Sequence, residues 1–172
     1  QKRFNASAPV WGQLYAPMLL KDGAVVDAKF GARPLFEADM LVRISSAAVN
    51  QARTPEDVLK SIDQVIPFIE LPDLVVMVPP KLNGAGIAAI NVGARLGVVG
   101  APMAVQPTEA FSDALRDMVV VVKGDGTELD KGKGSDVLEH PLNAVVWLVQ
   151  DLAKQGVKLK KGDLISLGSF SK

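Results

Sequence analysis

The sequence predicts an α+β protein that is mainly β, and three observations carry that expectation. Short apolar pieces broken by Pro9, Gly12, Pro17, Asp22-Gly23 and Gly31 fill the first 34 residues and suit strands or close-packed loops rather than helix. Met118 to Lys123, Gly124-Asp125-Gly126 and Thr127 to Leu129 read as strand, tight turn and strand. Two segments, opening at Thr54 and at Pro141, carry full helix signals.

The composition bounds the rest. The chain has 172 residues, 48% hydrophobic and 22% charged, which predicts one globular domain over 1–172 with a sizeable core. Lys plus Arg and Asp plus Glu both number 19, so no basic surplus points to nucleic acid or an anionic membrane, and a small-molecule partner is expected. The absence of cysteine removes disulfides, thiolate metal sites and cysteine nucleophiles together. No apolar run approaches the roughly 20 residues of a membrane helix. Gln1 opens no signal-peptide pattern, and Gly168 to Lys172 stops just after an expected buried strand, where a partner strand is due. The domain is therefore expected to lack N- and C-terminal segments of a longer protein. A cytoplasmic location is the default, with an exported or periplasmic one left open.

Leu35 to Ile44 is an extended segment in which alternation sets Phe36, Ala38, Met40 and Val42 opposite Glu37, Asp39, Leu41 and Arg43. Thr54-Pro55-Glu56-Asp57 supplies a capping hydroxyl, a first-turn proline and an acid three residues after the cap. Val58, Leu59, Ile62, Val65 and Ile66 would form that helix's apolar stripe, limited by Pro67. Phe68 to Asp73 leads into Leu74 to Val78, a predicted buried strand, and Leu96 to Val99 is another. Pro141 to Lys154 is the second helix, stopped by Gly156, and Lys160 to Asp163 turns the chain into Leu164 to Leu167.

An isolated buried carboxylate costs several kcal/mol, so an acid in apolar company needs a cation, an arginine or a proton. Glu37 and Asp39 share one strand face, and Glu70 precedes a greasy stretch. Oxygen-only ligation by several carboxylates suits Mg²⁺ or Mn²⁺ rather than zinc, although an acid-x-acid pair on a strand is more often a solvated edge.

Four segments bear on that choice: Arg33-Pro34-Leu35-Phe36-Glu37-Ala38-Asp39; Ile66-Pro67-Phe68-Ile69-Glu70; His140-Pro141-Leu142-Asn143-Ala144 with Trp147-Leu148; and Gly162-Asp163-Leu164-Ile165. In order and spacing they resemble the 2-keto-4-pentenoate hydratase and 4-oxalocrotonate decarboxylase family of the fumarylacetoacetate hydrolase superfamily. The resemblance implies a mixed β-sandwich roll with a few flanking helices, assembled into homo-oligomers. It also implies that Glu37, Asp39 and Glu70 hold Mg²⁺ or Mn²⁺. The implied chemistry is chelation of a 2-oxo or 2-hydroxydienoic acid, with water adding to C4 of 2-hydroxypenta-2,4-dienoate to give 4-hydroxy-2-oxopentanoate. The sister reaction is 4-oxalocrotonate decarboxylation. Asn91 and the retained Gly168-Ser169 carry over as substrate-binding positions, with Asn91 and Ser169 as the contacts, although Asn91 also suits a plain turn. Asp73 matches a further acidic position that is not assigned as a ligand.

The departures leave the catalytic residues unassigned. The family's upstream Gly-Tyr-Lys segment has no counterpart here. Pro17 replaces an expected aspartate in Trp11 to Met18, and Leu167 replaces the threonine or serine before Gly168. These replacements motivate a second reading, a metal-binding relative with degraded catalysis. His140 at a helix start is read as a capping or packing residue, Trp11 and Trp147 as core, Gly132-Lys133-Gly134 as a hairpin exit, and Lys158, Lys160 and Lys161 as a solvated turn.

Overall fold

The computed structural model describes residues 6–76 and 82–170. Along the chain the elements are β1 (Leu19–Lys21), β2 (Glu37–Ile44), α1 (Pro55–Leu59), β3 (Ile62–Leu71), α2 (Gly84–Ala89) and β4 (Leu96–Val99), then β5 (Met103–Ala104), α3 (Glu109–Asp117), β6 (Val119–Gly124), β7 (Thr127–Lys133), α4 (Asn143–Lys154) and β8 (Leu164–Ser166). The fold is thus a sheet-dominated α+β one with few helices. None of the helices among the described residues is long and apolar enough to cross a membrane. The chain divides into two compact units, Gln1–Glu37 with Ile69–Gly100, and Ala38–Phe68 with Ala101–Lys172.

In the first unit β1 runs parallel to β4, with Leu19, Leu20 and Lys21 opposite Gly97, Val98 and Val99. In the same unit, Pro34 and Asp73 form an isolated antiparallel bridge. Asp73 is 4% exposed, and its carboxylate accepts the Ala32 and Arg33 N–H groups at 3.0 and 2.7 Å. Its own N–H donates to the Gly93 carbonyl at 2.8 Å. A buried acid is tolerated here because backbone donors satisfy it. The expected strand from Leu74 does not form over Leu74–Val76. The Val75 and Val76 amides instead donate to the carbonyls two residues back, and Val75 is 57% exposed. Met77 and Val78 lie outside the described residues.

In the second unit β8 pairs antiparallel with β2, placing Leu41, Val42 and Arg43 opposite Ser166, Ile165 and Leu164. Gln64 and Val65 of β3 face Ala104 and Met103 of β5, and Arg43 makes a two-pronged ion pair with Asp63 at 2.9 and 2.7 Å. Each member of that pair holds the other charged: Asp63 lies below the usual carboxylate range and Arg43 above the usual guanidinium range, both chiefly through this hydrogen bond. Val42, Ile44, Val58, Val65, Leu142, Val145 and Phe170 belong to one buried core in this unit. The β6–β7 hairpin turns on Asp125 and Gly126, both at positive φ as a two-residue turn of this hand requires.

The helix opening at Thr54 is real but short. Thr54 and Asp57 form a capping box, yet α1 ends at Leu59. Ile62 to Leu71 is strand, so Val65 and Ile66 bury from β3 and not from a helical stripe. Three β-branched residues and Pro67 disfavour helix, and Pro67, which has no N–H, sits exposed beyond the pairing with β5. Trp11 also departs from expectation: it is 37% exposed, not core.

His140, the chain's single histidine, is a buried packing residue, and its ring bonds the backbone just ahead of α4 without capping that helix. Its Nδ1 accepts the Leu142 N–H at 3.1 Å, at the entry to α4, and its Nε2 lies 3.2 Å from both the hydroxyl and the carbonyl of Ser112. An accepting Nδ1 leaves the proton on Nε2, which donates to Ser112. Burial pushes the imidazole below the usual value of 6.5, against the raising effects of the Ser112 carbonyl, Glu56 and Asp113; Arg116 adds to the lowering. Folding therefore favours neutral His140. The stability this provides is fully present above the unfolded value and is lost as pH falls through it towards the lower folded value. The urea midpoint should fall between about pH 7.5 and about pH 5.5, and fall less in His140→Gln. An equal fall in both proteins would contradict this account.

Candidate functional site

The three acids singled out from the sequence sit on β2 and β3, which are neighbours in the sheet. Leu35 donates to the Pro72 carbonyl and Ser45 to the Ser61 carbonyl, each at 2.9 Å. Those bonds bracket the two strands and fix them antiparallel. Glu37, at the head of β2, and Glu70, one residue before the end of β3, consequently lie at the same end of the pair, both half-buried. Asp39 follows Glu37 by two residues on β2, the spacing that returns a side chain to the same face.

Asp39 is the most deeply buried of the three, at 5% exposure. Its Oδ1 accepts the N–H groups of Met40 and of Gly168, the latter at 3.1 Å, and its Oδ2 accepts the Ser166 hydroxyl. The strand register explains the arrangement. Past β8 the chain continues along β2, with Leu167 donating to Met40 and Phe170 to Ala38 at 3.0 and 2.9 Å. Gly168, at φ +98, makes the turn that aims its amide at Asp39. Ser169 lies half-buried between those two backbone bonds.

As a donor set these residues suit a hard cation, offering carboxylate oxygens with neither thiolate nor imidazole among them. Among the described residues, no group of three or more His, Asp or Glu side chains stands as metal ligands would.

Asn91 has a definite structural task. Its Oδ1 accepts the Gln13 N–H at 2.7 Å and its Nδ2 donates to the Gln13 carbonyl at 2.9 Å, so the amide clasps one residue of the Trp11 to Met18 segment. Asn91 and Val92 take positive φ values of 55 and 59, and a Cβ on Gly12 would stand 2.4 Å from the Asn91 carbonyl oxygen. Strain in a β-branched residue persists only where the surroundings over-determine it. Pro17 lies in a short 3-10 turn, Ala16–Met18, in that same segment. A groove of about 110 Å³ elsewhere in the second unit is lined by Asn50, Val149, Ala153, Gly156 and Val157 and contains none of the candidate acids.

Ser166 is the residue that sequence reasoning missed. It was absorbed into an apolar strand, and its relation to Asp39 exists only through the β2–β8 register.

No protein-family model matches the chain. It is 28% identical over 170 residues to the 4-oxalocrotonate decarboxylase of Pseudomonas putida, covering 98% of this chain and 62% of that protein. It is 24% identical over 170 residues to 2-keto-4-pentenoate hydratase 1 of Dechloromonas aromatica (strain RCB), covering 99% and 63%. The structure of the 4-oxalocrotonate decarboxylase from Pseudomonas putida G7, complexed with magnesium and adipate, matches with a TM-score of 0.84 at 26% identity, over 99% of this chain and 63% of that one. A protein described as a fumarylacetoacetate isomerase/hydrolase, from Oleispira antarctica, shares the fold at a TM-score of 0.51 and 14% identity, over 96% and 65%. The chain thus spans about three fifths of the length of the curated relatives it matches.

Proposed function

We propose that this chain, a relative in sequence and fold of the 2-keto-4-pentenoate hydratases and 4-oxalocrotonate decarboxylases of the fumarylacetoacetate hydrolase superfamily, is the metal-binding body of a hydro-lyase. The observation that supports the metal-binding half of the reading is the match along nearly the whole chain to a decarboxylase structure that holds magnesium and a dicarboxylate, adipate, and the hydro-lyase half rests on the likeness to 2-keto-4-pentenoate hydratase 1. The substrate proposed is 2-hydroxypenta-2,4-dienoate. One water is consumed: its hydroxyl ends on C4, and its proton and the proton leaving the substrate's 2-hydroxyl end on C3 and C5 as the enol becomes the 2-oxo group of 4-hydroxy-2-oxopentanoate.

Glu37, Asp39 and Glu70 are the proposed ligands of Mg²⁺ or Mn²⁺. When bound, the cation supplies Lewis-acid stabilisation of the negative charge that develops on the substrate's 2-oxygen. The chain's own part is to present three oxygen donors on two adjacent strands. Asn91 keeps the Gln13 segment in place, and through it or directly it contributes to substrate binding, with Ser169 as the second contact. A homo-oligomer acting on a short 2-oxo or 2-hydroxydienoic acid, in the cytoplasm by default, completes the proposal.

Two observations favour other readings of the same site. The high structural match is to a decarboxylase, which favours CO₂ release from a 4-oxalocrotonate-like diacid. Pro17 within its turn, and Leu167 buried at 3% exposure, place groups unable to transfer protons where the family has polar ones, which favours a metal-binding protein with degraded catalysis. The protein at its natural length, given Mn²⁺ and fresh dienoate, is expected to remove the substrate's conjugated absorbance, and chelation should stop it. CO₂ from the diacid without dienoate loss would select the decarboxylase. No turnover of either would select the non-catalytic protein.

A further inference from the structure

We infer that Ser166 is a positioning residue for Asp39, and that with the Gly168 amide it sets this carboxylate's orientation before any cation arrives. The inference rests on the proposal that Asp39 is a metal ligand, and it adds a residue that the sequence pattern does not single out.

A carboxylate 5% exposed on a strand must have its charge met by donors. Asp39 has them on both oxygens, and they differ in kind. Oδ1 takes two backbone amides, from Met40 and Gly168. Those donors are fixed by the pairing of Leu41 with Ser166 and by the bonds from Leu167 to Met40 and from Phe170 to Ala38. No side-chain substitution other than proline removes an amide donor. Oδ2 takes the Ser166 hydroxyl, a rotor that donates one hydrogen and is lost with its side chain. Donors on both oxygens define the carboxylate plane, and the Ser166 hydroxyl is one that a side-chain substitution removes.

Hydrogen bonds behind a ligand fix its orientation, and their loss typically costs roughly 10- to 100-fold in metal affinity. The competing role is a latch: the same bonds also hold residues 167–170 along β2, so Ser166 would matter to folding alone. The two roles separate by measurement. A latch lowers the stability of the metal-free protein, whereas a positioning residue lowers cation affinity and spares that stability.

The experiment is calorimetric titration with Mn²⁺ of the wild type, Ser166→Ala and Ser166→Thr, with thermal unfolding of each in chelator. Ser166→Ala is expected to bind Mn²⁺ at least about tenfold more weakly, Ser166→Thr, which keeps the hydroxyl, to stay near the wild type, and all three to unfold at similar temperatures without metal. Wild-type affinity in Ser166→Ala overturns the inference, as does weakened binding in both variants accompanied by a matching loss of metal-free stability. Should Ser166→Ala not fold, Ser166→Cys keeps the volume with a much weaker donor, and wild-type affinity there has the same consequence. A wild type that binds no Mn²⁺ overturns the metal proposal itself, and is told apart because it appears before any substitution is made.

Discussion

Replacing Glu70 with alanine is expected to weaken Mg²⁺ and Mn²⁺ binding by more than about 100-fold, beyond the range that outer-shell changes cost. Glu37→Ala should do the same. Both residues are half-buried at one end of the β2–β3 pair, where each would offer oxygen donors to a hard cation. As ligands, their removal should cost the metal-bound protein more stability than the metal-free one. Calorimetric titration read beside thermal unfolding with metal and in chelator checks both halves. Unchanged affinity in both variants would remove the proposed site, and lost affinity accompanied by an equal loss of stability with and without metal would recast these acids as structural.

Gly132→Ala is the second large effect, and it falls on stability. A Cβ at Gly132 would stand 1.6 Å from the backbone carbonyl oxygen of Phe170, an approach no side-chain rotation relieves. Overpacking costs typically 1–3 kcal/mol and occasionally more, and with backbone on the other side we expect about 3 kcal/mol. For a chain of this size that corresponds to a fall in Tm of roughly 6–12 °C. Phe170 is 2% exposed within the core and donates to Ala38 beside Asp39, so the same substitution should also loosen the segment that carries the Gly168 amide. Gly126→Ala is the control: φ is +79 there but nothing lies within 4 Å, so only the conformational cost of about 1–2 kcal/mol applies. Equal urea midpoints for the two variants would show that the close approach to Phe170 does not matter.

Much of the scaffold was legible because its signals are local. The Gly124 to Gly126 turn and the Thr54 cap announce themselves within a few residues and are present, while the extended run expected over Leu35 to Ile44 forms over Glu37–Ile44 and the helix expected from Pro141 starts at Asn143. The errors arise where one pattern serves two periods. Val58, Leu59, Ile62, Val65 and Ile66 fit a helical stripe, but β3 takes the last three because tertiary pairing with β5 and burial in the core outweigh the periodicity. Two helices passed unread. α3 is nine residues long and starts from Thr108, whose hydroxyl caps Phe111, while α2 carries two glycines that argue against helix, and Asn83 caps it.

The site divides the same way. Resemblance in order and spacing drew attention to Glu37, Asp39 and Glu70, and the strand pairing puts two of them at one end of β2 and β3. What surrounds Asp39 was not legible, since Ser166 and Gly168 are more than 125 positions away in the chain and reach it only through register. Asn91 shows the opposite limit. Its position suggests a substrate contact or a turn, whereas in the fold its amide is bonded to Gln13, 78 positions away in the chain.

The most direct test of the hydro-lyase reading is identification of the product by NMR after the protein, at its natural length and loaded with Mn²⁺, has consumed 2-hydroxypenta-2,4-dienoate. The expected result is 4-hydroxy-2-oxopentanoate, formed with the wild type and lost with Glu70→Ala. Unchanged dienoate with metal-loaded wild type, or the same product yield from Glu70→Ala, would contradict it.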